Sequence, residues 1–403
     1  YKEGLDVLLK KWDATRNIER DKIYRKLSLK RKEDLLAQIA FSTFKEGDYF
    51  FKQRVVEEKI IDYIQNLPGA KEDEEALLID SEAVLKSIEA QHGLLVERAK
   101  YIYSFSHLTF QEYFTAKQIT SPSAQMQIQL QALSANVTEK RYREIFLLSV
   151  GMLPQANELL LCMKKEIDQI VIGDKNIQQL LIKLQQKTLS INVRYKPAAT
   201  RAFYFDLALD LDLDFDPDRN LNLYFALAPE VDLALTLDLA LDLDRALDLD
   251  LYLFRALHRA LELDRVLDLK LNDLDNNFVH NLDRASSLDR ADSAKSILQA
   301  KLEKLKQQLP DYRQIEDFKR WWEHYGKDWT DILKRIAVEH RKIYHDWQFT
   351  SEQKETLKQY YVTNKLLVDC LNSDCYVTKA TRQYIEDTLL LPMSEIEKRP
   401  FTP

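Results

Sequence analysis

Two histidines of this sequence stand in patterns that could do chemistry. His107 lies in Ser-Phe-Ser-His-Leu-Thr-Phe-Gln-Glu-Tyr-Phe, the most specific local string of the chain. An imidazole can donate a hydrogen bond to an anion and can gain a positive charge near neutral pH. His340 follows Arg335 in the pattern Arg-x4-His, which combines a cation with a proton-transfer group. Simpler roles stay open. His107 can instead cap a helix or fill a turn, and Arg335 and His340 can instead belong to the core or the surface.

The sequence lacks the motifs with which proteins commonly bind and hydrolyse nucleotides. It has 7 Gly among 403 residues and no Gly-x-x-x-x-Gly-Lys-Ser/Thr loop that would hold nucleotide phosphates. Gly-x-Ser-x-Gly, His-Glu-x-x-His and Cys-x-x-Cys are absent too. We therefore expect the chain by itself to be no enzyme.

Possible metal ligands are spaced poorly for a metal site. His340 and His345, like Cys370 and Cys375, are separated by four residues, whereas paired ligands in zinc sites are commonly closer. No metal site is predicted from them.

Composition and charge exclude several further classes of protein. Three Cys are too few for a disulfide framework in a chain of this size, which favours a reducing compartment and a cytoplasmic location. No apolar run is long enough for a transmembrane helix. The formal net charge of −7 is unlike the positive footprint of a nucleic-acid-binding protein.

The elements around His107 are predicted to form a winged helix over residues 28–120. Apolar residues recur at helical spacing in three successive segments of this region. Two short strands, at 94–96 and 101–105, then flank a turn, and a further helix begins at His107. Three helices closed by a small hairpin are the winged-helix arrangement.

The rest of the chain is predicted to be mainly α-helical, because apolar residues at helical spacing continue beyond the winged helix. The predicted domains are the end of a helical linker domain at 1–27, the winged helix at 28–120, a helical segment at 121–200, a Leu/Asp-rich repeat-like segment at 201–292 and a C-terminal helical domain at 293–403.

Leu and Asp alternate through much of the segment 201–292, and this pattern admits two interpretations. A period of two residues taken alone is typical of β-strands, as in a β-solenoid. Residue choice indicates the opposite, because Asp is depleted in strands while Leu, Ala and Arg are strong helix formers. Glycine, on which β-coils usually turn, is absent from this segment. We favour helices in bundle or solenoid modules, with a β-solenoid as the alternative.

Three parts of the sequence resemble the region that follows the ATPase core in NACHT proteins of the STAND class of signalling NTPases. The string around His107 is similar to the end of their winged helix, where a strand leads into a helix. The opening Gly4-Leu-Asp-Val-Leu-Leu-Lys-Lys-Trp resembles the helix after the core in cyanobacterial-type members. The strings His345-Asp-Trp-Gln-Phe, Leu366-Leu-Val-Asp-Cys-Leu-Asn-Ser-Asp-Cys-Tyr-Val and Thr388-Leu-Leu-Leu-Pro resemble their helical C-terminal domain.

By this resemblance the chain is the regulatory and sensing portion of a nucleotide-dependent switch whose ATPase core lies outside it. His107 would then reach the β-phosphate of ADP and hold the switch in its closed, resting state. ATP or ADP with Mg²⁺ would be bound mainly by the core, which is the expected partner, and the parent protein would be an ATPase. The resemblance further implies antiviral or stress signalling, oligomerisation on activation and a trigger that the sequence does not identify.

Two other functions stay open. Arg335 and His340 fit the Arg-x4-His pattern of helical HEPN ribonucleases, in which these side chains act on the 2′-hydroxyl and the phosphate of RNA without a metal. A winged helix can also place a helix in the DNA major groove. The candidate helix here, residues 80–92, carries three carboxylates against one Lys, which disfavours DNA binding.

Overall fold

The computed structural model describes residues 29–67, 74–193, 195–213, 223, 227, 245–265, 277–288, 297–311, 314–343, 345 and 347–402. The predicted linker helix at 1–27 and much of the Leu/Asp-rich segment lie outside these residues. Two compact units are present, the first formed by residues 1–166 with 370–378 and the second by residues 167–369 with 379–403. The described part of the chain is mainly α-helical with one small β-sheet, as the sequence predicts.

The first unit contains the predicted winged helix. Its elements are α1 (Leu29–Glu46), β1 (Phe51–Lys52), α2 (Gln53–Gln65), α3 (Glu74–His92), β2 (Leu95–Ala99), β3 (Ile102–Phe105) and α4 (Leu108–Ile119). Helices α5 (Met126–Ser134), α6 (Arg143–Met152) and α7 (Asn157–Gln169) follow. Three helices, a short sheet and the closing helix confirm the winged-helix prediction.

The sheet has three antiparallel strands in the order β1-β3-β2. The sequence predicts the β2–β3 hairpin, and the structure adds β1, in which Phe51 pairs with Tyr103. Strand β2 also runs three residues further than predicted, to Ala99, because the turn is confined to the next two residues, where Tyr101 adopts a left-handed φ of 63°. Two residues are too few to produce an alternating pattern, so β1 leaves no signal in the sequence.

The apolar faces of α1, α2 and α3 meet the inner face of the sheet and the buried side of α4. Helices α1 and α4 pack along each other, which fixes the helix that begins after His107. The largest contributors to this core are the buried side chains of Leu35, Leu36, Ile39, Val56, Ile60, Val84, Leu85, Ile88, Leu95, Tyr103, Phe105 and Phe114.

The second unit is built from helices. They are α8 (Lys175–Leu189), α9 (Pro197–Leu213), α10 (Arg245–Arg265), α11 (Asn277–Leu288), α12 (Ile297–Lys306), α13 (Ile315–Ile336), α14 (Ser351–Asn372), α15 (Lys379–Thr388) and α16 (Met393–Ile396). A π-helical turn over Ala337–Arg341 follows α13. Among the described helices of both units, none has the length and apolar character needed to cross a membrane.

The described parts of the Leu/Asp-rich segment are helical, so the β-solenoid alternative is wrong for them. Leu249, Leu253 and Leu257 of α10 lie four residues apart on one buried face of the helix. The intervening Asp residues are not uniformly solvated, because Asp250 is completely buried. Winding the alternating pattern into a helix therefore spreads Leu over a wide apolar surface and draws Asp206 of α9, as well as Asp250, into the interior.

Helix α13 supplies the aromatic part of the second core. Phe318, Trp322, Trp329 and Leu333 recur at intervals of four and seven residues, and all are buried. The Trp322 ring packs directly over Gly326, where an added Cβ would lie 2.5 Å from the indole Nε1. The glycine in the middle of this helix thus makes room for the ring of the residue one turn before it.

Candidate functional site

The structure places His107 at the exposed N-terminus of α4. Its backbone is extended, with φ −133° and ψ 143°, and its side chain makes no capping hydrogen bond to the helix. The imidazole is exposed, and its ring contacts the edge of Phe110 with 5.6 Å between the centroids. The helix-capping role that the sequence left open for this side chain is therefore not the one it has here.

Strand β3 and its neighbours set the position of His107. The Ser106 amide donates to the Leu94 carbonyl at 2.8 Å, and Phe105 is buried in the core. The Arg98 guanidinium donates to the Ser106 carbonyl at 2.9 Å and to the Ser104 hydroxyl at 2.9 Å. An exposed arginine is thus held beside the residue that precedes His107, a neighbour that the sequence analysis missed because it lies on the other strand of the hairpin.

Buried polar contacts hold α4 against α1. The Gln111 amide donates to the Thr43 hydroxyl at 2.9 Å and to the Asp48 carbonyl at 3.0 Å. Lys117 and Glu33 form an ion pair between the same two helices. Because α4 is fixed along its length, the exposed imidazole at its start is carried on a rigid support.

This end of α4 can bind an anion. The positive end of the helix dipole, the His107 imidazole and the nearby Arg98 guanidinium all favour a negative group. These groups suit contact with one phosphate. They do not form a complete nucleotide site, since the chain has no glycine-rich loop to hold further phosphates.

One carboxyl group in α4 is buried, and no cation among the described residues pairs with it. Glu112 is 7 % exposed, and burial, followed by repulsion from Glu144, raises the pKa of its carboxyl above the ordinary value. Since the folded pKa lies above the unfolded one, ionisation at neutral pH opposes folding. This destabilisation disappears as the pH falls through the folded pKa towards about 4.3.

We expect Glu112→Gln to raise the free energy of unfolding by up to about 1 kcal/mol at neutral pH, because it removes the cost of a buried charge. Urea melts measured across the acidic range should show the gain shrinking as the pH falls, until variant and parent coincide. The exposed Glu46→Gln serves as the matched control and should change little. Equal gains from both substitutions, or a gain independent of pH, would contradict this account.

Arg335 and His340 are not brought together in one described cavity. Arg335 is exposed on α13 and lines shallow depressions that His340 does not line. His340 lies half-buried in the π-helical turn, where its Nε2 is buried without a hydrogen-bond partner among the described residues. The geometry gives the ribonuclease alternative no shared site.

The cysteines and the other metal-binding residue types form no candidate metal cluster within the described part of the chain. Cys370 is buried, Cys162 and Cys375 are half-buried, and all three are free thiols. The Cys375 thiol lies 3.3 Å from the Cys370 carbonyl oxygen, so this pair is engaged locally.

Helix α3 is the candidate for reading DNA, and its only Lys or Arg side chain contacts other residues of the winged helix. The Lys86 ammonium donates to the Tyr103 hydroxyl at 2.9 Å and lies 3.4 Å from Glu97. Because α3 otherwise carries carboxylates and no Arg, its surface favours neither phosphates nor base edges.

The fold defines a class of protein, a winged helix followed by helical modules. Two family models match the chain: the winged helix-turn-helix domain C-terminal to NACHT at residues 1–119, and NACHT C-terminal helical domain 2 at residues 298–392. The chain is thus the C-terminal portion of a NACHT protein, and the resemblance seen in the sequence is confirmed. No curated protein and no solved structure matches it. Both matched domains belong to the regulatory part of a NACHT NTPase, and neither is catalytic.

Proposed function

We propose that this chain controls a NACHT NTPase by holding its nucleotide-bound core in a closed, resting state. The observation that carries the proposal is the exposed His107 imidazole, which stands at the start of a firmly anchored helix and makes no capping bond there. A side chain with this position has an unused donor for a group outside the winged helix. The proposed group is the β-phosphate of ADP, bound in the ATPase core.

The chemistry of the contact follows from charge. An imidazole N–H that donates to a phosphate oxygen makes a charge-assisted hydrogen bond. The N-terminus of α4 and the Arg98 guanidinium add positive potential at the same place. Adenine nucleotide and Mg²⁺ would be held by the core, so this chain supplies one contact that depends on which nucleotide is present.

Such a contact couples nucleotide state to domain packing. A ligand shifts an equilibrium between closed and open forms only by its difference in affinity for the two. ADP gains the His107 contact in the closed form alone and therefore favours that form. Exchange for ATP, together with a trigger recognised by the helical modules, would favour the open form, which oligomerises and signals in antiviral or stress defence.

The test is His107→Ala in the protein that contains the ATPase core. Loss of one hydrogen bond to a charged group should speed ADP dissociation by about ten- to hundredfold. The measurement is the release of a fluorescent ADP analogue by stopped flow. The exposed His324→Ala on α13 is the matched control and should release ADP at the parent rate. An unchanged dissociation rate in a folded His107→Ala protein would end the proposed latch role.

A further inference from the structure

A cavity of about 250 Å³ lies wholly within the second unit. Its walls come from α8, from α9 and from five residues in or after the π-helical turn, which are Val338, Lys342, Ile343, His345 and Trp347. Ligand pockets commonly measure about 300–1,000 Å³, so this one suits a small molecule. Neither matched family domain assigns a role to it.

The Lys, Arg, Asp and Glu residues that line the cavity are all lysines. Lys183, Lys187 and Lys342 line the cavity, and none of the described lining residues is Asp or Glu. Lys183 and Lys342 have no carboxylate partner among the described residues. Two exposed ammonium groups without a carboxylate partner among the described residues give the lining a positive potential, which attracts a negative group.

A buried carboxylate fixes two side chains that line the cavity, those of Lys187 and Tyr204. Asp250, with no exposed surface, accepts from Lys187 at 2.8 Å and from the Tyr204 hydroxyl at 2.6 Å, and it pairs with Arg341. Lys187 also donates to the Arg341 carbonyl, so two of its three N–H groups have partners in the fold. The ammonium is therefore fixed in place, and it also lies 5.1 Å from the centre of the Tyr204 ring.

The cavity also has aromatic walls that are fixed in place. Trp347 stacks on the buried Phe349, with 5.6 Å between the centroids and 8° between the planes. His345 meets the edge of Trp347 at 4.3 Å, and Lys183 lies 5.2 Å from the centre of the Trp347 ring. Tyr204 forms part of the opposite side, below Lys187. Such surfaces bind planar rings by stacking and apolar contact.

From these observations we infer that the cavity is a binding site for a nucleoside monophosphate. The exposed Lys183 and Lys342 hold the phosphate, and the aromatic and aliphatic walls hold the base. Its volume excludes a dinucleotide or a macromolecule, and its apolar walls distinguish it from a site for phosphate alone. The site is independent of the His107 latch, because every residue that forms it belongs to the second unit.

Isothermal titration calorimetry with the 403-residue chain tests the inference. AMP, GMP, CMP and UMP are the probes, and at least one should bind saturably at one site per chain. Adenosine, ribose 5-phosphate and inorganic phosphate, which carry only part of the chemistry, should each bind at least about tenfold more weakly than the best monophosphate. Binding should also weaken as salt is added.

Variants separate the cavity from other sites. Lys183→Ala and Trp347→Ala should each weaken the best monophosphate by about tenfold or more, while the exposed Lys175→Ala on the same helix α8 should not. Thermal melts without ligand establish that each variant is folded. The inference is overturned if no monophosphate binds, if inorganic phosphate binds as tightly as the best nucleotide, or if Lys183→Ala and Lys175→Ala bind alike.

Discussion

Asp250→Ala should lower the free energy of unfolding by about 3–5 kcal/mol, one of the two largest effects we expect from a single substitution in this chain. Asp250 is fully buried and satisfies Lys187, Arg341 and the Tyr204 hydroxyl at once. Its removal leaves an ammonium with only 7 % of its surface exposed beside a guanidinium, without the carboxylate that compensates both. Urea melts measure the loss.

Because the surrounding charges shift the pKa of Lys187, the loss of stability in Asp250→Ala should depend on pH. Burial lowers the pKa of Lys187, Asp250 opposes that shift, and the charges of Arg341 and Lys342 add to it. Without Asp250 the folded pKa falls further below the unfolded value of about 10.4, so the unfolded state binds more protons between the two values. The deficit of Asp250→Ala should therefore shrink as the pH rises towards the ordinary lysine pKa.

Two comparisons separate this account from simple loss of packing. Asp283→Ala removes a carboxylate from a half-exposed ion pair with Lys306 and should cost no more than about 1 kcal/mol. Adding Lys187→Met to Asp250→Ala removes the stranded ammonium and should recover part of the loss. Equal losses for Asp250→Ala and Asp283→Ala, or no recovery in the double variant, would show that the buried ion cluster does not have the assigned role.

Trp329→Ala should cost about 3–5 kcal/mol through a different mechanism, loss of the centre of the aromatic core. Trp329 is 1 % exposed and contacts the rings of Phe278 and Trp322, with centroids 5.4 and 5.7 Å away. Its indole N–H also donates to the Leu305 carbonyl at 2.9 Å, in the last turn of α12. The substitution leaves a cavity among α11, α12 and α13 and weakens the end of a helix.

A series at this position separates the ring from the hydrogen bond. Trp329→Phe keeps an aromatic ring but loses the donor, and it should cost less than Trp329→Ala. Tyr325→Ala on the exposed side of the same helix should stay within about 0.5 kcal/mol of the parent. Urea melts followed by far-ultraviolet circular dichroism measure all three. A loss in Trp329→Ala no larger than that in Tyr325→Ala would contradict the assignment of this side chain to the core.

The fold class was predictable from local patterns in the sequence. The winged helix was predictable because the apolar residues of α1 and α2 recur at helical spacing and the β2–β3 hairpin has its own strand residues. The Leu/Asp-rich helices were predictable only from residue types, since a period of two residues points to strands until propensity is weighed against it. Strand β1 was not predictable, because two residues become a strand only through pairing with β3.

The candidate sites also divide into features that the sequence predicts and features that depend on tertiary contacts. His107 was found from its string, but its neighbour Arg98 depends on hairpin pairing, which brings a residue of β2 to the end of β3. Arg335 and His340 fit a pattern, yet an exposed position on α13 and a π-helical turn separate them. Spacing in sequence locates side chains on one helix, whereas the direction of each depends on how that helix ends.

The amino-acid sequence by itself determined the helical character, the winged helix and the NACHT resemblance, because each depends on residues close together in the chain. Only the tertiary structure decided the role of Asp250 and the existence of the basic, aromatic cavity. Lys187 and Arg341 are 154 positions apart and meet through packing of α8, α10 and the turn after α13. Burial and the pairing of distant charges are properties of that packing, and a local pattern of Leu and Asp does not encode which Asp it buries.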